Sequence, residues 1–120
     1  MALAASSAYY WISITMDNTD NTITRSVFLA FVRVHILHHA VEGPVFGLEM
    51  IEELRRHGYS IGPGTLYPIL HNLEKLGCLR AKEQIVRGKR RKNYVATAKG
   101  KHTLEELRKK IREMVREVLK

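Results

Sequence analysis

Seven bases crowd into residues 80–96: Arg80, Lys82, Arg87, Lys89, Arg90, Arg91 and Lys92, against the single acid Glu83. Charge packed this densely makes a directed field rather than a merely soluble surface. Lys and Arg displace the counterions condensed on a polyanion, so the run suits a nucleic-acid phosphate backbone, whatever its sequence. A second group, Gly64, Thr65, Tyr67, Pro68, His71 and Asn72, has the opposite character: small, hydroxylated, aromatic or amide-bearing, with little charge. Such side chains suit hydrogen bonds to base edges and phosphate oxygens rather than bulk attraction. The pairing suggests one region for affinity and another for selection.

Two further sets invite chemistry. His35 and His39 stand at i, i+4, with His38 between them, and two such imidazoles can share a metal. No acid or cysteine completes a ligand set from sequence, although a partner chain could. These histidines are therefore expected to be hydrogen-bonded or half-exposed interface residues, with no metal bound. Cys78 falls at a helix-to-strand junction, where oxidation would bias the adjoining hairpin; a small buried cysteine is the expected role. There is no Gly-rich phosphate loop, no Ser/His/Asp arrangement and no paired carboxylates, so neither enzymatic activity nor a cofactor is expected.

These groups must be positioned by a small protein. Its 120 residues are one domain's length, with 45% hydrophobic residues for one core and a net charge of +8. A (β/α)₈ barrel, at about 250 residues, is excluded. The longest apolar run, Val27 to Val32, falls far short of the ~20 residues of a membrane span. One cysteine permits no intrachain disulfide and points to a reducing, cytoplasmic compartment. Residues 1–24 carry no Lys or Arg and show no sustained period, which reads as a weakly structured tail. Met1 to Ile14 lacks the positive n-region of a signal peptide, so secretion is not expected. Met16 sits where polar, domain-like sequence begins and is read as the biological start.

From Thr24 to Val41 the residues are apolar nearly all round, as in a helix buried in the core or against a second chain. Gly43-Pro44 ends it. A second helix is expected over Val45–His57, with Phe46, Met50, Ile51 and Leu54 on one face and Gly58 as its left-handed terminator. The third begins at Pro63 or Thr65 and ends at Gly77, with Leu66, Ile69, Leu70, Leu73 and Leu76 as its stripe. Pro68 fits only in or near the first turn. Two strands come next, Cys78–Arg87 and Arg91–Ala96, joined by Arg87-Gly88-Lys89-Arg90, so the expected hairpin tip is Lys89, Arg90 and Arg91. Thr97 caps a last helix, about Ala98 to Leu119, in which Leu104, Leu107, Ile111, Met114 and Val118 alternate 3, 4, 3, 4. That seam suits a partner chain; packing against its own domain is the alternative.

The order helix, helix, helix, β-hairpin, helix is that of a winged helix-turn-helix followed by a dimerisation helix: mainly α with a small β-hairpin. The third helix can enter a major groove while the basic hairpin, the wing, meets the backbone. The expected domains are the tail 1–24, a winged-helix DNA-binding domain over 25–97 and the dimerisation helix over 98–120.

With these elements in order, the sequence resembles the PadR family of transcriptional regulators, named for a phenolic-acid-responsive repressor. The resemblance rests on Phe46-Gly47-Leu48-Glu49, on Gly62-Pro63-Gly64-Thr65-Leu66-Tyr67-Pro68-Ile69-Leu70, on Leu73-Glu74-Lys75-Leu76-Gly77, and on the wing Gly88-Lys89-Arg90-Arg91-Lys92-Asn93-Tyr94 with Thr97 and Gly100. It implies a homodimeric DNA-binding repressor that pairs through its N- and C-terminal helices on double-stranded DNA. Gly64, Thr65, Tyr67, Pro68, His71 and Asn72 fall in the recognition helix, and Arg87, Lys89, Arg90, Arg91 and Lys92 in the wing. Ligand-responsive members have a long C-terminal domain or an aromatic-lined dimer cavity. This chain holds no Phe, Trp or Tyr after Tyr94, which argues against a stacking site for a flat effector. The rival functions are an architectural protein that coats duplex without choosing sequence, and a winged-helix protein-interaction module.

Overall fold

The computed structural model describes residues 22–120; the expected tail and the proposed start at Met16 lie outside the described residues except for 22–24, which are helical. Helix α1 spans Thr22–Glu42, strand β1 Val45–Phe46, helix α2 Gly47–Arg56, helix α3 Pro63–Lys75, strands β2 and β3 Leu79–Val86 and Lys89–Ala96, and helix α4 Ala98–Val118. The strands form one antiparallel sheet in the order β1-β3-β2. This is the expected winged helix-turn-helix with a trailing helix.

Val45 and Phe46 do not open α2. They pair with Tyr94 and Asn93 as a third strand. Val45 is β-branched and comes after Pro44, which biases the chain to extended backbone, so the segment closes the sheet's free edge before Gly47 starts the helix. A Cβ at 47 would sit 2.4 Å from the Tyr67 hydroxyl, so any residue but glycine there would push that ring from its place.

Helices α2 and α3 end alike. At Gly58 (φ 92°) the Tyr59 amide donates to Leu54 O and the Gly58 amide to Arg55 O. At Gly77 (φ 82°) the Cys78 and Gly77 amides donate to Leu73 O and Glu74 O. Both are Schellman caps, whose left-handed residue glycine adopts without steric cost. Pro63 is at the first position of α3. Pro68 lies a turn later than expected, inside the helix, where it leaves the Gly64 carbonyl without its usual donor.

The core gathers Val32, Ile36 and Leu37 of α1, Met50, Ile51 and Leu54 of α2, Leu66, Ile69, Leu70 and Leu73 of α3, Tyr94 of β3 and Leu104 of α4. Helix α1 is less enclosed than its sequence implies: Ile23 and Val27 are exposed and Phe28, Leu29, Phe31 and Val34 only half-buried. Cys78 is buried, as expected.

The start of α4 is bolted to the end of α3. Thr97 Oγ1 accepts from the Gly100 amide at 3.0 Å and donates to Gly77 O, and Lys99 Nζ donates to Leu76 O at 2.6 Å. Gly100 makes the approach possible, since a Cβ there would be 2.1 Å from the Cys78 carbonyl oxygen.

Candidate nucleic-acid interface

Leu66, Ile69, Leu70 and Leu73 turn inward, so α3 must present Gly64, Pro68, His71 and Asn72 outward, at spacings 4, 3 and 1; all four are exposed. Thr65 and Tyr67 are half-buried at the margins of that face. Tyr67 is anchored by its packing on Gly47, which fixes where the phenol sits relative to the exposed face. His71 lies 6.5 Å from the Tyr67 ring, centroid to centroid. The face carries no acid, and its one permanent cation is Lys75 at the C-terminal end of the helix.

The wing is tighter than its sequence implies. Val86 pairs with Lys89, leaving Arg87-Gly88 as a two-residue turn with φ of 52° and 76°. Positive φ at both central residues is the type I′ pattern, which matches the twist of the flanking strands. The tip is therefore Arg87-Gly88, and Lys89, Arg90 and Arg91 belong to β3. Arg87, Lys89 and Lys92 are exposed, Lys92 with its ammonium 5.9 Å over the Tyr94 ring, and Arg90 pairs with Glu83 at 3.8 Å, with both side chains largely in solvent. Such an ion pair holds a cation weakly.

Arg91 differs. Its guanidinium lies 4.2 Å over the Phe46 ring and 3.2 Å from Glu49 Oε2, half-buried against the start of α2. Behind it Asn93 Nδ2 donates to Gln84 Oε1 at 3.0 Å. Period-2 alternation places Gln84, Arg91 and Asn93 on one face of the hairpin and Arg90 and Lys92 on the other. A sequence shows five clustered cations; only the register and the partner helix show that Arg91 is the one held between a ring and a carboxylate.

An exposed, acid-free helix face thus lies beside a hairpin with solvent-exposed cations, and α3 packs directly on β2. A sequence model of the family described as Transcriptional regulator PadR-like family matches residues 36–106. The chain belongs to the PadR-like family of transcriptional regulators. The PadR-like match takes in α2, α3, the wing and the first turns of α4. Transcriptional regulator Rv3488 of Mycobacterium tuberculosis is 49% identical over 90 residues, which are 75% of this chain and 84% of that protein. Among solved structures, a PadR family regulator from Eggerthella lenta aligns with a TM-score of 0.71 at 25% identity, over 88% of this chain and 93% of that one. The smu.1704 protein of Streptococcus mutans aligns with a TM-score of 0.66 at 31% identity, over 73% and 84%. The protein is a transcriptional regulator of DNA-binding, winged-helix type.

The seam expected to meet a partner divides along α4. Leu104 is 1% exposed inside this chain's own core, which corrects its place among residues offered to a second chain, and Leu107 is half-buried on the same core. Beyond Ile111 the seam opens, with Met114, Val115, Val118 and Leu119 exposed. They line an apolar groove of about 590 Å³ whose other wall is α1. Phe31 and Tyr59 face it, aromatic groups that α1 and the α2–α3 turn supply and that the chain after Tyr94 lacks.

The histidines also gain neighbours from outside their own helix. His57, at the end of α2, stacks on His35 with centroids 4.7 Å apart, and its Nε2 is 2.9 Å from Glu53 Oε2. Burial, then the adjacent His57, His39 and His38, lowers the pKa of His35 below the ordinary histidine value. Neither His57 nor Glu53 is visible as a neighbour from the i, i+4 spacing within α1. Among the described residues no helix is long and apolar enough to cross a membrane.

Proposed function

We propose that the protein is a homodimeric, sequence-specific repressor acting on a pseudo-palindromic operator. The observation that carries this reading is the acid-free outward face of α3 set beside a hairpin whose cations are mostly solvent-exposed. Gly64, Thr65, Tyr67, Pro68, His71 and Asn72 would meet base edges and nearby phosphates, with Tyr67 positioned by Gly47. Arg87, Lys89, Arg90 and Lys92 would hold the backbone or minor groove, and Arg91 would join them on leaving Glu49. The exposed end of the α4 seam, Ile111, Met114 and Val118, supports pairing of two copies, with α1 supplying the facing wall. A groove this apolar is the kind of surface that a partner chain covers. Repression follows from occupancy: a protein seated on an operator excludes other proteins from that DNA.

The test is selection of bound fragments from a random duplex pool at physiological salt. Expected is enrichment of inverted half-sites with centres about one helical turn apart. A pool that emerges unenriched, bound as tightly as bulk competitor DNA, would replace this reading with architectural coating.

A further inference from the structure

We propose that His35, His39 and His57, with Glu53, bind a divalent transition-metal ion of the zinc class and thereby tie α1 to the C-terminal end of α2. The first support is proximity. One ring nitrogen from each of the three histidines lies within 4.8 Å of the others. Zn–N bonds of 2.0–2.1 Å in a tetrahedron put ligands about 3.4 Å apart, so the site must close by roughly an ångström. That closure falls within side-chain reach, because His57 caps the end of α2 and is exposed.

The second support is a carboxylate in place. Glu53 Oε2 is 2.9 Å from His57 Nε2 and 3.9 Å from His39 Nε2, while Arg56 holds Oε1 at 2.8 Å. That arrangement leaves one oxygen beside His57 and His39, from where it can complete the ligand set or hold the rings by hydrogen bonds, and fixes the other. Three imidazoles and one oxygen suit zinc, cobalt or nickel; magnesium and calcium take oxygen ligands. Tyr59 packs edge-on against His35 at 5.4 Å and limits that ring's freedom.

The charges nearby choose between two clusters. His38, His39 and Glu42 also come within 4.8 Å, but His38 Nδ1 is 3.3 Å from the Arg108 guanidinium. A fixed cation there opposes a dication. The cluster built on His57 has Arg56 at its rim, already neutralised by Glu53. An ion held there would join α1 to the residue immediately before Gly58, where the chain turns toward α3. The site therefore clamps the corner between the two helices of the helix-turn-helix, independently of whether DNA is read as proposed above.

The experiment uses the full chain without an affinity tag, stripped by chelator and titrated with Co²⁺, then with Zn²⁺ against a chelating dye. Expected is one ion per chain and the intense visible absorption of four-coordinate Co²⁺. His57→Ala and His39→Ala should each weaken Zn²⁺ binding at least tenfold and abolish that absorption, and Glu53→Gln should weaken it by about tenfold. His38→Ala and His71→Ala should leave it unchanged. Because His57 is exposed at a helix end, its substitution leaves the core intact, which circular dichroism checks. A folded His57→Ala chain that binds as tightly as the unsubstituted one overturns the proposal. So does an unsubstituted chain that binds no ion, or loss of binding in His38→Ala with retention in His57→Ala.

Discussion

The two ends of α4 carry the same 3, 4, 3, 4 apolar rhythm and do different things with it. At the N-terminal end Leu104 is sealed in the chain's own core, under a helix start fastened by Thr97, Lys99 and the close approach of Gly100 to Cys78. At the other end Val118 is 67% exposed and Met114 43%. A seam pattern specifies that a face must be covered, not what covers it. What decides is how far the domain reaches: α4 is 21 residues long, roughly 30 Å at 1.5 Å per residue, and it runs beyond the body it starts on.

That division can be broken by substitution. The largest effect is expected of Leu104→Ala, which should cost about 2–5 kcal/mol. Because the loss is internal, it should be the same in thermal melts at low and high protein concentration. Gly100→Ala should cost about 1–3 kcal/mol, since the clash is with backbone and no rotamer relieves it. The same melts measure it, and an unchanged midpoint would mean that the α3–α4 junction is looser than its geometry. Val118→Glu should act elsewhere. It should leave the unfolding of the separated chain unaltered but weaken self-association at least tenfold, about 1.4 kcal/mol, in sedimentation runs across a dilution series. A Val118→Glu chain as associated as the unsubstituted one would remove the outer seam from the interface.

How much was legible in the sequence depends on how local its causes are. Gly58 and Gly77 end their helices because a left-handed residue is needed within one turn, and both positions can be read directly. The leucines of α3 fix its outward face by period alone. Non-local causes were not legible. Val45-Phe46 becomes a strand because β3, about fifty residues later, offers it an edge. The turn at Arg87-Gly88 is two residues rather than four because ladder pairing continues to Val86–Lys89. His57 and Glu53 join His35 and His39 only once α2 lies against α1. For the strand and for the histidines the deciding partner is distant in the chain, so no short window of sequence contains it; the turn is local, with Val86 and Lys89 only three residues apart, and what its composition left open was how far the ladder runs.

The wing repeats the contrast within a few residues, with smaller stakes. Lys89 and Arg91 are two apart on the same face of β3, yet Lys89 is exposed and Arg91 lies between Phe46 and Glu49. Free cations release counterions on binding DNA, so Lys89→Ala should shallow the logarithmic salt dependence of duplex binding by about one unit. For Arg91 to do the same, its guanidinium must first leave the ring and the carboxylate. Cation–π contact at a partly exposed site contributes about 0.5–1 kcal/mol and an exposed ion pair less. Arg91→Ala should therefore shift the salt slope by less than Lys89→Ala and lower stability slightly, through loss of the tie between β3 and α2. The decisive variant is Glu49→Gln, which leaves every wing cation present and loosens Arg91. If it strengthens duplex binding and steepens the salt slope, Glu49 is a competitor that DNA must displace. If binding and slope are unchanged while the melt midpoint falls, Arg91 is a strut of the wing and not one of its phosphate contacts.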